Sequence, residues 1–522
     1  MHYIDLARIR TASALRFSFL LIVVGLILIS PRNSAAQQTD GSDKIEAISK
    51  RLEELEKQID GLKRENAELR KRFGETEAPR AAFAAVRETP AAEASKAIPS
   101  QEENKPEKKE SRIEFGGELR FRPDARANLN SFIKGVDSLV AQRVKLHAKA
   151  KLTDDITGFV EFQDSRVWGR EFSPNLSLAN VDLHQAYIHA DHFLTPDLSV
   201  RIGRQELNYG NERLVGAFDW DNVGRSFDAI KAVYAKASWS ADIFAARVVD
   251  GHGLIVGTRE RASASAPLDF EFAIPHQDFY GAYLKFFNDS PNRKLEVYGF
   301  LLRDTFAWRG EVGSRTDTLS IYTMGTRQEL KSDGGFSYDG EVAFQTGHFG
   351  PDDHLALALA VTVGKRFKSA QSPHFSLEYD FASGDGNFKD QHSREFINLF
   401  PNNHIHYGYA DFLGWRNMQD IRLGFGFNPA SKLSFDADYH KFYLHQPAGR
   451  WSGAAGDTLG FDVFGNSSRE LGQELDFTLG FPYKERFKFL AGYSVFLPGR
   501  FAKLTRGADL SHFSYIQTLI KF

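Results

Sequence analysis

The chain has 522 residues, 65 basic and 68 acidic side chains for a net charge of −3, and no cysteine. The missing thiols exclude disulfides, thiolate metal centres and cysteine nucleophiles, and suit a cell-envelope protein. The near-balanced charge gives no footprint for a nucleic-acid partner, and the length suits one large domain with extensions.

Arg8, Arg10 and Arg16 precede an apolar run from Phe17 to Ile29, followed by Ser34-Ala35-Ala36. A basic, apolar, then small-residue order predicts a secretory signal peptide over residues 1–36, cut after Ala36. The run is short for a spanning helix of about twenty residues, so an uncleaved anchor is the lesser reading. No later stretch is long and apolar enough for a transmembrane helix.

Residues 43–74 change to a heptad. Ile45, Ile48, Leu52, Leu55, Ile59, Leu62, Asn66, Leu69 and Phe73 step by threes and fours, the a and d seam of a coiled-coil helix. Arg51 with Glu56, and Glu65 with Arg70, supply opposite charges at g and e of a parallel pair, and Asn66 at an a position fixes register. The seam predicts a homo-oligomer, with two or three strands both open. Residues 75–110, rich in Ala, Pro, Glu and Lys, hold too few large apolar side chains for a core and read as a disordered linker.

From 111 to 522 the pattern is alternation. Ile113, Phe115, Leu119 and Phe121 oppose Arg112, Glu114, Glu118, Arg120 and Arg122; Val144 and Leu146 oppose Arg143, Lys145 and Lys149. About eighteen such segments of about ten residues match the strand length that crosses a bilayer at a tilt. Connections after even-numbered strands are short (Thr153-Asp154-Asp155, Lys236 to Ser238, Asn428 to Ser431, Phe481 to Glu485). Those after odd-numbered strands are long (Pro123 to Leu139, Asp250 to Gln277, Ser383 to Asn417, Leu444 to Arg469). Open sheet edges are not tolerated in lipid, so the fold class expected is all-β: a closed antiparallel transmembrane barrel of about 18 strands, preceded by the coiled-coil helix. Such a barrel leaves a water-filled lumen instead of a packed core. Phe522 ends an alternating strand, as outer-membrane barrels do, which places the chain in the outer membrane with its coiled coil in the periplasm.

The stretch Leu198 to Tyr234 joins two alternating runs through about twenty aperiodic residues, longer than an ordinary connection. It holds Arg201, Arg204, Glu206, Tyr209, Arg213, Trp220, Asn222, Arg225 and Asp228. Its series GRQ, YG, R, DW, N and R-FD resembles the signature of the bacterial alginate export outer-membrane family. So do YDFASGDGN with FINLFPNNHIHYGYADFLGWRN at Tyr379 to Asn417, and ELGQELDFTLG at Glu470 to Gly480. The resemblance implies passage of an anionic uronate polymer through an Arg-lined constriction, with no cofactor and no covalent step. It puts Arg201, Arg204, Arg213 and Arg225 near the path; strand parity adds Arg143, Lys145 and Lys149 as lumen cations, which favour anions. Alternating acids leave open that part of the array is interstrand pairing. The coiled coil and linker depart from the family's simplest pattern and suggest an oligomer or docking to periplasmic export partners.

Other chemistries find little support. There is no G-x-S-x-G elbow, no H-E-x-x-H and no phosphate loop, so no enzyme is expected. His404-Ile405-His406 lacks a third ligand and Ser383 to Asn387 lacks the spacing of a calcium loop, so no metal is expected either. Two functions from other classes remain beside polymer passage: a general anion porin, and a structural envelope protein anchored by its barrel.

Overall fold

The computed structural model describes residues 112–128, 135–169, 181–248, 277–287, 292–462 and 464–522. The expected signal peptide, coiled coil and linker lie outside these residues, as does nearly all of the connection before Gln277. In chain order the strands are β1 (Ile113–Ala127), β2 (Val136–Lys151), β3 (Ile156–Val167), β4 (Val181–Ala190), β5 (Leu198–Gln205), β6 (Phe227–Ala235) and β7 (Trp239–Val248). They continue as β8 (Gln277–Phe287), β9 (Arg293–Arg309), β10 (Thr316–Lys331), β11 (Phe336–Phe349), β12 (Asp352–Arg366), β13 (His374–Ala382) and β14 (His392–Ser393). The last are β15 (Met418–Ala430), β16 (Leu433–Leu444), β17 (Arg450–Ser452), β18 (Thr458–Phe461), β19 (Glu470–Tyr483), β20 (Phe487–Pro498) and β21 (Ser511–Lys521), with one short helix, α1 (Arg500–Thr505).

Setting aside β14, β17 and β18, which lie in connections, eighteen of the twenty-one strands form one antiparallel sheet, each paired with its neighbours in sequence. The sheet closes where β21 pairs with β1, Lys521 opposite Glu118 and His512 opposite Ala127. Closure removes the edges that lipid would leave unsatisfied. Among the described residues, no helix is long and apolar enough to cross a membrane.

The expected parity holds. Leu146, Phe162, Ile202, Ile243, Leu355 and Ile516 are exposed on the outer face, while Arg143, Lys145 and Gln163 are buried on the inner one. Phe375, Phe425, Phe427 and Phe435 form a ring-to-ring chain with centroids 4.9 to 5.6 Å apart near the rim of short turns, an interfacial aromatic girdle.

Three expectations need correction. The connection assigned to Pro123 to Leu139 is much shorter, because β1 runs on to Ala127 and β2 starts at Val136. Not every connection on the long rim is long, either: only Gly350 and Pro351 lie between β11 and β12. The larger correction concerns the lumen. Loops enter it, and Leu207, Leu214, Val215, Phe396, Ile397, Phe400, Leu413, Trp415 and Trp451 pack with wall residues such as Phe227, Phe244, Phe279 and Phe300 into one buried apolar cluster. Full burial of each such side chain contributes about 1.5–3 kcal/mol, so much of the inner face of β6 to β9 is a core surface, with Lys231, Asp242, Lys285, Glu296 and Asp304 among its polar positions. Alternation still sorts inside from outside there, but most inner positions are apolar too.

Candidate functional site

The loop 206–226, between β5 and β6, has no strand of its own, so its carbonyl groups need partners from elsewhere. Left-handed backbone at Gly210, Glu212 and Phe218 bends it across the lumen. Five consecutive carbonyls at its tip then accept hydrogen bonds from side chains of β1 to β3. Arg120 donates to Asp219 and Asp221 (both 2.6 Å), Arg122 to Trp220 (2.7 Å), Ser165 to Asn222 (2.6 Å) and Gln163 to Val223 (2.6 Å). The tip is fastened along its backbone, independent of its side chains.

Charge reinforces this seam. Arg143 is fully buried, its Nη2 2.6 Å from Glu118 Oε1 and 2.7 Å from Asp219 Oδ1. Lys145 Nζ stands 3.6 Å from Asp219, 3.7 Å from Glu206 and 3.9 Å from Glu161. Burial alone would raise the Asp219 and Glu206 carboxyls. Arg143, Lys145 and Arg120 instead hold Asp219 below the usual range, and the hydrogen bond to His184 with the charge of Lys145 does so for Glu206.

A second loop, 383–417, meets the first. Val215 and Phe400 form a parallel β-bridge, with Gly216 N donating to Phe400 O and Phe400 N to Leu214 O, each 2.8 Å. Arg225 caps the carbonyls of Gly216 (2.9 Å) and Phe400 (2.5 Å), and burial lowers its pKa to about 10. Arg213 reaches Tyr407 Oη (2.9 Å) and the wall carboxylates Glu378 (2.5 Å) and Asp380 (3.1 Å). Burial opposes its charge, yet Asp380, Tyr407 and Glu378 push its pKa well above the ordinary value. Arg422 also bonds Glu378. At the root, the Asn417 side chain donates to the carbonyls of Gln446 (3.1 Å) and Arg450 (3.0 Å) and accepts from Gln446 N (2.8 Å), which staples the third inner loop, 445–469, to the second. A Cβ on residue 384 would lie 1.7 Å from the Asn417 side chain, so only glycine fits there.

The seven cations singled out from the sequence therefore divide. Arg143 and Lys145 are consumed by the first loop, and Arg213 and Arg225 are pins between loops and wall. Arg204 lines a cavity of about 380 Å³ with Asp182, His184, Arg225 and Arg416. Lys149 is exposed on the inner side of β2, and Arg201 stacks on Tyr187 with its guanidinium 4.3 Å from the ring centre. Sequence reasoning passed over Lys231 and Lys285. Lys231 lies opposite Arg201 in register, between Ile230 and Ala232, so parity could have found it. Lys285 sits over Tyr283 and Tyr209 at 5.5 and 5.9 Å. It also missed Arg422, and it placed Arg120 and Arg122 on the polar face without giving them a task.

Acids cluster most densely in one sector, and cations are most numerous in another, where Glu118, Glu161 and Asp242 stand among them. Glu378, Asp380, Asp420, Glu474 and Asp476, on β13, β15 and β19, are buried together with His440, with the half-buried Arg422 beside them. Arg120, Arg143, Lys145, Lys149, Arg201, Lys231 and Lys285 fall on β1, β2, β5, β6 and β8.

Comparison with known proteins agrees with this architecture. The barrel resembles solved structures of OpdQ from Pseudomonas aeruginosa (12% identity, 78% of this chain and 98% of that one, TM-score 0.50) and of a BenF-like porin from Pseudomonas fluorescens Pf-5 (11%, 78% and 99%, TM-score 0.50). OccK8 (OprE) of Pseudomonas aeruginosa is similar to the same degree (11%, 78% and 98%, TM-score 0.50). A comparison with curated protein sequences gives no match. The family model described as alginate export matches residues 111–515, nearly the whole barrel. The chain is an outer-membrane β-barrel channel and belongs to the alginate export family.

Proposed function

We propose that this channel passes an anionic polysaccharide of the uronate type, or related anionic solutes, along the cationic sector of its lumen. The observation that carries the reading is the group Lys149, Arg201, Lys231 and Lys285. None of the four forms an ion pair within 4.0 Å among the described residues, whereas Arg120, Arg122, Arg143, Arg213 and Arg225 are taken up by loops. Lys231 lies opposite Arg201 in register, and Lys285 lies opposite Glu296. Cations not held in ion pairs keep their charge available, and a low-dielectric wall focuses their field on a passing anion.

Aromatic faces accompany these charges. Tyr187 stacks on Phe159 at 5.0 Å under Arg201, whereas Tyr209, Tyr283 and Tyr298 stack in series at 4.7 and 5.5 Å inside the buried cluster and support Lys285 from below. Cations paired with flat aromatic surfaces suit a chain of sugar rings that carries carboxylates. Passage needs no cofactor and no bond made or broken. Fixed cations offset the polymer's desolvation, and neighbouring acids keep each contact weak enough to release. The heptad of residues 43–74 would bring two or three barrels together, or dock them to periplasmic export partners.

The test is the reversal potential across a salt gradient in a planar bilayer. Arg201→Glu and Lys285→Glu should each lower anion-over-cation permeability, and the double variant more so. Oligouronates titrated into the wild type should block the small-ion current. Selectivity unchanged in folded variants would overturn the reading; altered selectivity without oligouronate block would favour a general anion porin.

A further inference from the structure

We propose that Glu161, His184 and Glu206 form a binding site for a divalent cation of the zinc type, at the root of the 206–226 loop. Their ligand atoms all lie within 4.8 Å of one another. His184 Nε2 and Glu206 Oε1 are already 3.0 Å apart. A tetrahedral zinc with bonds of about 2.0–2.2 Å needs ligand atoms about 3.4 Å apart, so the remaining closure is a matter of side-chain rotation.

The backbone is arranged to present this imidazole. Pairing between β3 and β4 shifts register at Glu161 and Phe162, which face Gln185 and Leu183 and leave His184 unpaired. A bulge of this kind re-aims a side chain, and here it turns His184 inward beside Gln185. Both neighbours then hold the ligands. Ser226 Oγ lies 3.3 Å from His184 Nδ1, placed to accept its proton when a metal displaces the one that Nε2 shares with Glu206 Oε1, while Gln185 Nε2 donates to Glu161 Oε1 at 3.3 Å. Imidazole with two carboxylates favours a borderline metal over calcium or magnesium.

Lys145 is the occupant without metal. Its ammonium stands 3.9 Å from Glu161 and 3.7 Å from Glu206, a loose pairing beyond hydrogen-bond range. A dication replaces it, and Lys145 keeps Asp219, at 3.6 Å. The expectation of no metal site arose because the three ligands come from β3, β4 and the end of β5, with no local spacing to read. Bound metal would tie the loop's root to two wall strands, whatever the solute the channel passes.

The experiment is a calorimetric titration of the folded full-length barrel in detergent with zinc chloride, and with calcium chloride as comparison. One zinc per barrel is expected, with no saturable calcium binding. His184→Ala should abolish it, Glu206→Gln should weaken it, and Ser226→Ala should weaken it about 10–100-fold. Lys145→Gln should tighten it, an effect that a purely structural ion cluster would not give. Heat-modifiable migration identifies folded variants; should His184→Ala misfold, Glu206→Gln and Lys145→Gln decide the matter. No saturable zinc binding, calcium binding in its place, or zinc binding undiminished in His184→Ala and lost in His404→Ala would each overturn the site.

Discussion

Trp220 and His404, one from each inner loop, stack with ring centroids 3.8 Å apart and planes 9° from parallel. Arg122 covers the other face of Trp220 at 4.1 Å, and Tyr409 the other face of His404 at 4.8 Å. This four-layer stack joins the barrel wall, the first loop and the second loop in one column.

Trp220→Ala removes the centre of that column but leaves the tip carbonyls bonded. Aromatic pairs contribute about 0.5–1.5 kcal/mol beyond burial, so loop contact should weaken several-fold without loss of the fold. Single-channel records should show more frequent open events and unchanged heat-modifiable migration. His404→Ala should give the same result, and the double variant little more than either.

Arg213 serves the barrel differently. Arg213→Ala leaves Glu378 and Asp380 buried and short of their cation, and breaking a buried pair from one side costs about 3–5 kcal/mol. Urea unfolding followed by loss of heat-modifiable migration should show a clearly lower midpoint. Arg213→Lys should recover little, because a point charge lacks the fork that reaches Tyr407 and both carboxylates. Arg213→Ala combined with Asp380→Asn should recover part.

Acid should act on the inner loops in two steps. Burial, then Arg213, holds the His406 imidazole well below its ordinary pKa, and the ring stays neutral with Nε2 donating to Asn211 O at 2.8 Å. Once released, His406 protonates near pH 6.5, so the docked state loses stability as pH falls from about 6.5. Glu206 and Asp219 have depressed pKa values, so their stabilisation is present above the ordinary carboxylate range and is lost only below about pH 4. Channel noise recorded from pH 8 to pH 3 should rise in these two stages. His406→Gln should remove the first and Asp219→Asn should diminish the second; Asp219 is crowded by the wall on one side but its side chain is open to solvent on the other, which screens its pairs and leaves it the smaller share.

The coiled-coil proposal stands on residues 43–74 alone. A peptide of that stretch should be helical and self-associate, since about four heptads suffice. Leu55→Asp with Leu62→Asp should abolish both properties, read by circular dichroism and sedimentation. A monomeric wild-type peptide would remove the basis for an oligomer.

Strands were legible because lipid and lumen impose a period of two, and single residues carry it: Leu146 and Ile202 face out, Arg143 and Arg201 face in. The lumen filling was not. FINLF and YADFLGW looked like loop text because buried loops owe their packing to irregular contacts, which leave no period. The partners of Arg143 and Arg213 come from distant segments, so parity could place the first inside but could not tell a free lumen cation from a consumed one. The inward turn of His184 depends on a bulge, and a bulge of one residue leaves no mark on composition.

The seam between β1 and β21 sets an order of events. Gly117 N donates to Phe522 O at 2.8 Å and Phe522 N to Gly117 O at 3.1 Å, so the residue that follows β21 is bonded to the first strand. The Phe522 ring lies across position 117, where a Cβ would meet it at 2.8 Å and the Lys145 carbonyl at 2.6 Å. The wall therefore becomes a continuous cylinder only after β21 has been delivered to β1. By then the inner loops are hemmed in by strands on all sides, so they must be threaded inward before or as the seam shuts. An alanine at 117 would strike at this last act, and its signature would be an open sheet caught during insertion instead of a finished channel with altered conductance.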